Sequence, residues 1–229
     1  MSDKLIIKGA VFDMDGTLID SLMFWGRIWR DIGERFLSIE NFAAPESLDR
    51  AVRTMLYADA VELIRTELSL PLSKEECFTY GVNGLVTFYK TVAKAKPGAV
   101  ELLTSMRDRG IRLCVASATD LEYVRMALTH HGLIDFFESL HSCAELGVGK
   151  DRPDVYLKAA ESLGLAPEEV CVFEDSFVAI ETARAAGFKT AGLYDRYNFC
   201  QDRLSASSDV YMREGEDLTA LIDKIAPGA

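Results

Sequence analysis

Apolar, strand-like runs alternate with segments of helical period along most of this chain, and that alternation restricts its architecture more than any other feature. The first run, residues 5–12 (LIIKGAVF), reads as one strand buried on both faces and stops at Asp13. Comparable runs follow at 111–116, 137–141, 170–173 and 189–193, with a shorter one at 209–212. Between them lie helix-period segments at 99–109, 120–131, 154–163 and 176–186, followed by Gly110, Gly132, Gly164 and Gly187. Thr119-x-x-Glu122 fits a capping box at the start of the second of these helices. Strands joined by helices of this length form βαβ crossovers, so the expected fold is α/β, a doubly wound parallel sheet with helices on both faces.

Residues 21–96 break the rhythm. Leu22, Trp25, Ile28, Trp29, Ile32 and Phe36 recur at helical spacing, and so do Leu48, Val52 and Leu56. Ser73-x-x-Glu76 opens a further amphipathic run carrying Phe78, Val82, Leu85, Tyr89 and Val92. Pro45 and Pro71 separate these helices, and Lys96-Pro97-Gly98 marks the return to the α/β rhythm. The expected organisation is therefore a Rossmann-like core of residues 1–20 and 97–229 with an all-helical module, 21–96, inserted after the first strand. Trp25 and Trp29 lie one helical turn apart and share a face; a stripe at this spacing is ordinarily core.

Composition narrows the class of function. The 25 Lys and Arg against 36 Asp and Glu leave a formal charge of −11, which argues against a nucleic-acid partner, since binding a phosphate backbone needs a net basic surface. No run reaches the ~18 apolar residues of a membrane span, and Met1-Ser2-Asp3-Lys4 lacks the basic region and small-residue cleavage site of a secretory signal. The five cysteines (Cys77, Cys114, Cys143, Cys171, Cys200) are odd in number and show no C-x-x-C pair, which points to free thiols in a reducing compartment, the cytoplasm. His130, His131 and His141 have no metal-ligand spacing with those cysteines, so zinc is not expected.

In an open parallel sheet, ligands bind at the carboxyl ends of the strands. The residues at those ends are Asp13-x-Asp15-Gly16-Thr17, Ser117, Lys150 just beyond the third strand, and Glu174-Asp175. Each has an ordinary structural explanation alone: Asp-Gly is a turn signal, Ser117 a helix-capping residue, Glu174-Asp175 a solvated loop. Together they bring carboxylates, a hydroxyl and an ammonium to one crevice.

The stretch Asp13-Met14-Asp15-Gly16-Thr17-Leu18-Ile19-Asp20-Ser21 resembles the first motif of the haloacid dehalogenase-like superfamily. Ser117 within Val115-Ala116-Ser117-Ala118-Thr119, Lys150 within Gly149-Lys150-Asp151-Arg152-Pro153-Asp154, and Phe173-Glu174-Asp175-Ser176 resemble its second, third and fourth motifs. The resemblance spans residues 1–20 and 97–229, and the helical insert is similar to the family's small helical cap in position and length. The group it looks most like is the β-phosphoglucomutase-like phosphatases. The chain departs from the family at two places. The third motif commonly reads Lys-Pro-x-Pro-Asp, whereas here Asp151 follows Lys150 and Arg152 precedes Pro153. Trp25 stands where β-phosphoglucomutase itself carries a histidine thought to assist proton handling, which favours hydrolysis over mutase chemistry.

The resemblance implies a Mg²⁺-dependent phosphatase acting on a small phosphorylated metabolite, a sugar phosphate or nucleotide, as a monomer. A phosphate monoester carries two negative charges, so an attacking carboxylate needs a hard cation to neutralise its approach. Asp13 and Asp175 would supply side-chain oxygens to Mg²⁺, Asp15 a backbone carbonyl, and Glu174 a further oxygen directly or through water. Lys150, Ser117 and the main-chain N–H groups after Asp13 and Ser117, the latter that of Ala118, would hold the phosphoryl oxygens. Asp13 is the expected nucleophile, forming an aspartyl phosphate, and Asp15 the expected general acid and base. The alternatives are a phosphomutase of the β-phosphoglucomutase type and a catalytically idle binding or regulatory protein.

Overall fold

A computed structural model of the chain describes residues 4–53 and 55–228, so the reading of Met1 to Asp3 lies outside the described residues. The chain divides into two compact units, one comprising Met1–Asp20 and Lys94–Ala229, the other Ser21–Ala93.

The α/β unit begins with β1 (Leu5–Ile7), β2 (Gly9–Phe12) and β3 (Ile19–Asp20). The sequence predicts one continuous strand over 5–12, but the run is cut at Lys8 because its two halves pair with different partners. β1 pairs in parallel with a strand from the chain's far end, Leu5 opposite Ile225, while β2 enters the main sheet. At Gly9, just after the cut, a Cβ would come within 2.6 Å of the Leu165 side-chain tip, so a larger residue there would have to displace that side chain.

The helical unit contains α1 (Met23–Ile32) with a π-helical turn at Gly33–Leu37, then α2 (Glu46–Val52), α3 (Tyr57–Glu67) and α4 (Lys74–Thr91). Phe24, Ile28, Trp29 and Ile32 form the buried face of α1; Ile28, Trp29 and Ile32 belong to the predicted stripe, Phe24 joins them, and Leu22, Trp25 and Phe36 are only half-buried. Trp29 donates its indole N–H to Asp49 at 2.6 Å. Trp25 is half-buried against Trp29, ring centroids 6.1 Å apart, which fits the core reading of the pair. The predicted capping box opens α4: the Glu76 N–H donates to Ser73 Oγ at 3.2 Å and the Ser73 N–H to Glu76 at 2.8 Å.

The α/β unit resumes with β4 (Lys94–Ala95), α5 (Ala99–Asp108), β5 (Arg112–Ser117), α6 (Leu121–His130), β6 (Ser139–Ser142), α7 (Cys143–Leu146) and α8 (Asp154–Ser162). It closes with β7 (Val170–Glu174), α9 (Phe177–Ala185), β8 (Lys189–Leu193), α10 (Gln201–Ser207), β9 (Val210–Met212) and β10 (Ile225–Pro227). β3 and β4 form a short antiparallel pair, Ile19 opposite Ala95, which ties the strand leaving the unit to the one returning. The main sheet has six strands in the order β6-β5-β2-β7-β8-β9, all parallel. From β2 the chain winds outward through β5 to β6, and from β7 outward through β8 to β9. This is a doubly wound α/β sheet, and right-handed crossovers running in opposite directions place helices on opposite faces. Its reversal point lies at β2 and its two neighbours.

The interior of this sheet is dry. Ala10, Val11, Phe12, Cys114, Val115, Ala116, Cys171, Val172 and Phe173 are fully buried. Phe12 and Phe173, opposite one another in register, stack with centroids 4.3 Å apart immediately before Asp13 and Glu174. The carboxylates that follow therefore emerge from an apolar floor. Cys77, Cys114, Cys143 and Cys171 are buried free thiols, and Cys200 is a half-buried one. No helix among the described residues is long and apolar enough to cross a membrane.

Candidate active site

The reversal of strand order leaves a crevice at the carboxyl ends of β2, β5 and β7, because the connections there depart in opposite directions. Asp13 follows β2, Ser117 ends β5, and Glu174 ends β7 with Asp175 next. Asp13, Ser117, Glu174 and Asp175 are all buried. One carboxylate oxygen each from Asp13, Glu174 and Asp175 can be chosen so that all lie within 4.8 Å of one another.

Lys150, on the turn after α7, sends its ammonium into the same place. It donates to Asp13 Oδ1 and to Glu174 Oε1. Burial pulls its pKa down, but the Asp13 and Glu174 charges outweigh that and hold it above the usual lysine range. Three buried carboxylates thus cluster, two of them paired with the Lys150 ammonium, which leaves a surplus of two negative charges among these four groups when all are ionised. Such a surplus is costly in an apolar surround unless a cation or protons take it up. Accordingly the Asp13 carboxyl is pushed well above its ordinary range, first by burial and then by Glu174, Asp175 and Asp15, with Lys150 opposing. Asp175 is pushed up to about 7 by burial and Glu174, with Lys96 opposing. The cluster offers hard oxygen donors and lacks charge balance by the amount a divalent cation carries, so the residues present fit a Mg²⁺-type ion.

The surrounding contacts fix each carboxylate. Tyr156, fully buried on α8, donates its hydroxyl to Glu174 Oε1 at 2.9 Å. The Ser176 N–H donates to Glu174 Oε2 at 3.3 Å. Thr17 donates to Asp175 Oδ1 at 3.1 Å. Gly16, at φ +85°, is the turn that allows this approach: a Cβ there would lie 2.4 Å from Asp175 Oδ2, and the backbone conformation itself disfavours any other residue.

Asp15 stands apart from the three. It is half-buried and accepts a hydrogen bond from Thr119 Oγ1 at 2.8 Å. The capping box predicted at Thr119 does not form: Asp120 occupies the N-cap of α6 and makes no side-chain cap. The Thr119 hydroxyl is turned to Asp15 instead, and its own N–H donates to Ser117 Oγ at 3.1 Å. Ala118 lies half-buried on the bend between them. Arg152, beside the site in sequence, pairs at the surface with Asp154 at 3.1 Å.

Sequence reasoning did not single out Thr119, Tyr156 or Asn198 as site residues. Thr119 carries the signature of a cap, Tyr156 only a helix-period apolar signal, and Asn198 follows β8 in a segment with no motif. Asn198 donates to Asp175 Oδ2 at 2.6 Å. A conventional turn residue and a conventional core aromatic become visible as site contacts only when the strands are aligned.

The chain is similar to proteins already known. Residues 7–187 match the family described as haloacid dehalogenase-like hydrolase. The chain is 29% identical to hexitol phosphatase B of Escherichia coli over 83% of its own length and 85% of that protein's. It is 25% identical to the phosphorylated carbohydrates phosphatase of Thermotoga maritima over 94% of its length and 98% of that protein's. Among solved structures, CbbY from Rhodobacter sphaeroides in complex with phosphate superposes with a TM-score of 0.76 at 21% identity, covering 90% of this chain and 94% of that one, which shows a shared fold. The curated relatives are named phosphatases, in keeping with the phosphoric monoester hydrolase expected from the motifs. With the strand-end motifs gathered in one crevice and the family matched across most of its length, the chain belongs to the haloacid dehalogenase-like hydrolases.

Proposed function

We propose that this protein is a Mg²⁺-dependent phosphatase that hydrolyses a small phosphorylated metabolite, of the sugar-phosphate class, through an aspartyl phosphate on Asp13. The observation that carries the reading is the division of carboxylates: Asp13, Glu174 and Asp175 converge with Lys150, while Asp15 is held separately by Thr119. Two roles for neighbouring carboxylates require two environments, and here they are present. The sugar-phosphate class follows the relatives, whose names specify hexitol and phosphorylated carbohydrates.

In this reading, Asp13 and Asp175 would hold Mg²⁺ through side-chain oxygens, Asp15 through its carbonyl, and Glu174 directly or through water. When bound, the ion neutralises the surplus charge of the cluster and the charge of the phosphoryl oxygens. Lys150 sets a point charge beside the Asp13 oxygen it contacts, and Ser117 with the N–H groups of Met14 and Ala118 hold the remaining phosphoryl oxygens. Asp13 attacks phosphorus; the ester P–O bond breaks, and Asp15 delivers its proton to the departing alkoxide. The carboxylate so formed on Asp15 then takes a proton from the water that attacks the aspartyl phosphate. The P–O bond to Asp13 breaks, inorganic phosphate leaves, Asp13 is again a carboxylate and Asp15 is again protonated. We assign catalysis to the α/β unit and the part of the family's cap to residues 21–96. Free buried thiols support a cytoplasmic location.

The test is phosphate release from a panel of phosphorylated sugars and nucleotides with Mg²⁺ and with EDTA. Wild type is expected to turn over only with the metal, and Asp13→Asn to lose on the order of 10⁴-fold or more in kcat. Undiminished turnover by Asp13→Asn sinks the nucleophile. Isomerisation of a hexose phosphate without phosphate release replaces the hydrolase with a mutase.

A further inference from the structure

We infer that Asn198, in the turn after β8, is a positioning residue for Asp175 and through it sets the affinity of the site for Mg²⁺, an inference that rests on the Mg²⁺ reading above. A side-chain amide has one accepting end and one donating end, and its neighbours decide which faces where. The Phe199 N–H donates to Asn198 Oδ1 at 2.8 Å, which commits the accepting end to the main chain. The donating end is thereby aimed at Asp175: Nδ2 donates to the Asp175 carbonyl at 2.9 Å and to its Oδ2 at 2.6 Å. Reversing the amide would set an oxygen against two acceptors and an NH₂ against an N–H, losing all three bonds.

Asp175 is consequently gripped on both oxygens, Oδ1 by Thr17 at 3.1 Å and Oδ2 by Asn198. Each carboxylate oxygen keeps a lone pair for a cation, so the grip fixes direction without using up the ligand. The neutrality of the amide suits the place. A carboxylate at position 198 would add repulsion to a cluster already in surplus, and an ammonium would compete with the metal.

The turn that presents Asn198 is itself braced by Asp195, which is buried. Asp195 Oδ1 accepts the Tyr197 N–H at 2.8 Å, and its carbonyl accepts the Asn198 N–H at 3.0 Å and the Gln201 side-chain amide at 3.2 Å. Its Oδ2 accepts from the Lys96 ammonium at 2.7 Å. Partners that orient metal ligands typically alter metal affinity or activity by about 10–100-fold when removed.

The experiment measures the midpoint of Mg²⁺ binding by calorimetric titration of the full chain without substrate, because thermal stabilisation by a ligand grows with the logarithm of its concentration and does not saturate. It compares wild type with Asn198→Leu, similar in size and without a donor, and with Asn198→Ser, which keeps one hydroxyl donor. The expected result is a midpoint raised by ~10-fold or more in Asn198→Leu and by less in Asn198→Ser. The Tm in EDTA falls as the amide's hydrogen bonds are lost, so the midpoint and not the Tm carries the comparison. The Mg²⁺ concentration for half-maximal turnover rises in step while kcat at saturating Mg²⁺ is largely retained. Variants that keep the wild-type midpoint overturn the inference, as does a loss of kcat with the midpoint unchanged. If Asn198→Leu fails to fold, Asn198→Ser carries the same comparison. A wild-type Tm indifferent to Mg²⁺ overturns the metal reading itself, and is told apart because it needs no variant.

Discussion

Lys96 and Lys150 are both drawn into the interior of the α/β unit, yet they meet different company. Lys96 pairs with Asp195 at 2.7 Å, with side chains 10% and 3% exposed, one charge against one. Lys150 faces Asp13 and Glu174 directly, with Asp175 completing the cluster. A balanced pair is satisfied by its own members and fixes the geometry of a turn. An unbalanced cluster is left short of positive charge, which suits capture of a cation and, through it, an anion. The difference explains how a chain with a net charge of −11 comes to be read as a binder of phosphate esters.

The comparison breaks most visibly at Lys150. Lys150→Met is expected to lower kcat at saturating Mg²⁺ by about 10²–10³-fold, the usual loss when a group stabilising transition-state charge is removed. Phosphate release measures it, and a near-normal kcat would place Lys150 with the structural ion pairs. Lys96→Met is expected to act on stability instead: it strands Asp195, and breaking a buried pair in this way costs about 3–5 kcal/mol. Urea unfolding reads that loss, and adding Asp195→Asn should recover part of it. Full stability in the single variant would show that Asp195 finds another cation or a proton.

A third test concerns pH and sharpens the contrast. In metal-free protein the Asp175 carboxyl lies at about 7 against an ordinary 3.8, because burial and Glu174 penalise its charged form. Between those values the folded protein binds more protons than the unfolded chain, so stability falls as pH rises through that window. Unfolding midpoints in EDTA are expected to decline from about pH 4 to about pH 7, to decline less in Asp175→Asn, and to flatten when Mg²⁺ is added. Equal slopes in wild type and Asp175→Asn would remove Asp175 from the account.

Much of this was legible in the chain. A strand buried on both faces must read as a continuous apolar run, and a crossover helix must show a 3.6 period, so the α/β alternation and the helical insertion declare themselves locally. The strand-end residues Asp13, Ser117 and Glu174-Asp175 are legible because they stand where such runs stop, and the resemblance to the family's motifs implies Asp13, Asp15, Glu174 and Asp175 as metal ligands. The break at Lys8 was not legible, since β1 and β2 differ only in which distant strand pairs with them. Thr119 shows the same limit on a smaller scale. Its capping-box spacing is real, but Asp15 competes for the hydroxyl, and Asp15 is distant in sequence.

By itself, then, the sequence determined the fold class, the family and the strand-end residues, because periodicity and motif are properties of neighbouring positions. Only the tertiary structure decided how those residues are arranged: which carboxylates share one ammonium, which accepts from Thr119, and that the Asn198 amide faces Asp175. Charge balance and hydrogen-bond direction depend on separations of a few ångströms between groups far apart along the chain. Those separations exist only once the parallel strands have been brought into register.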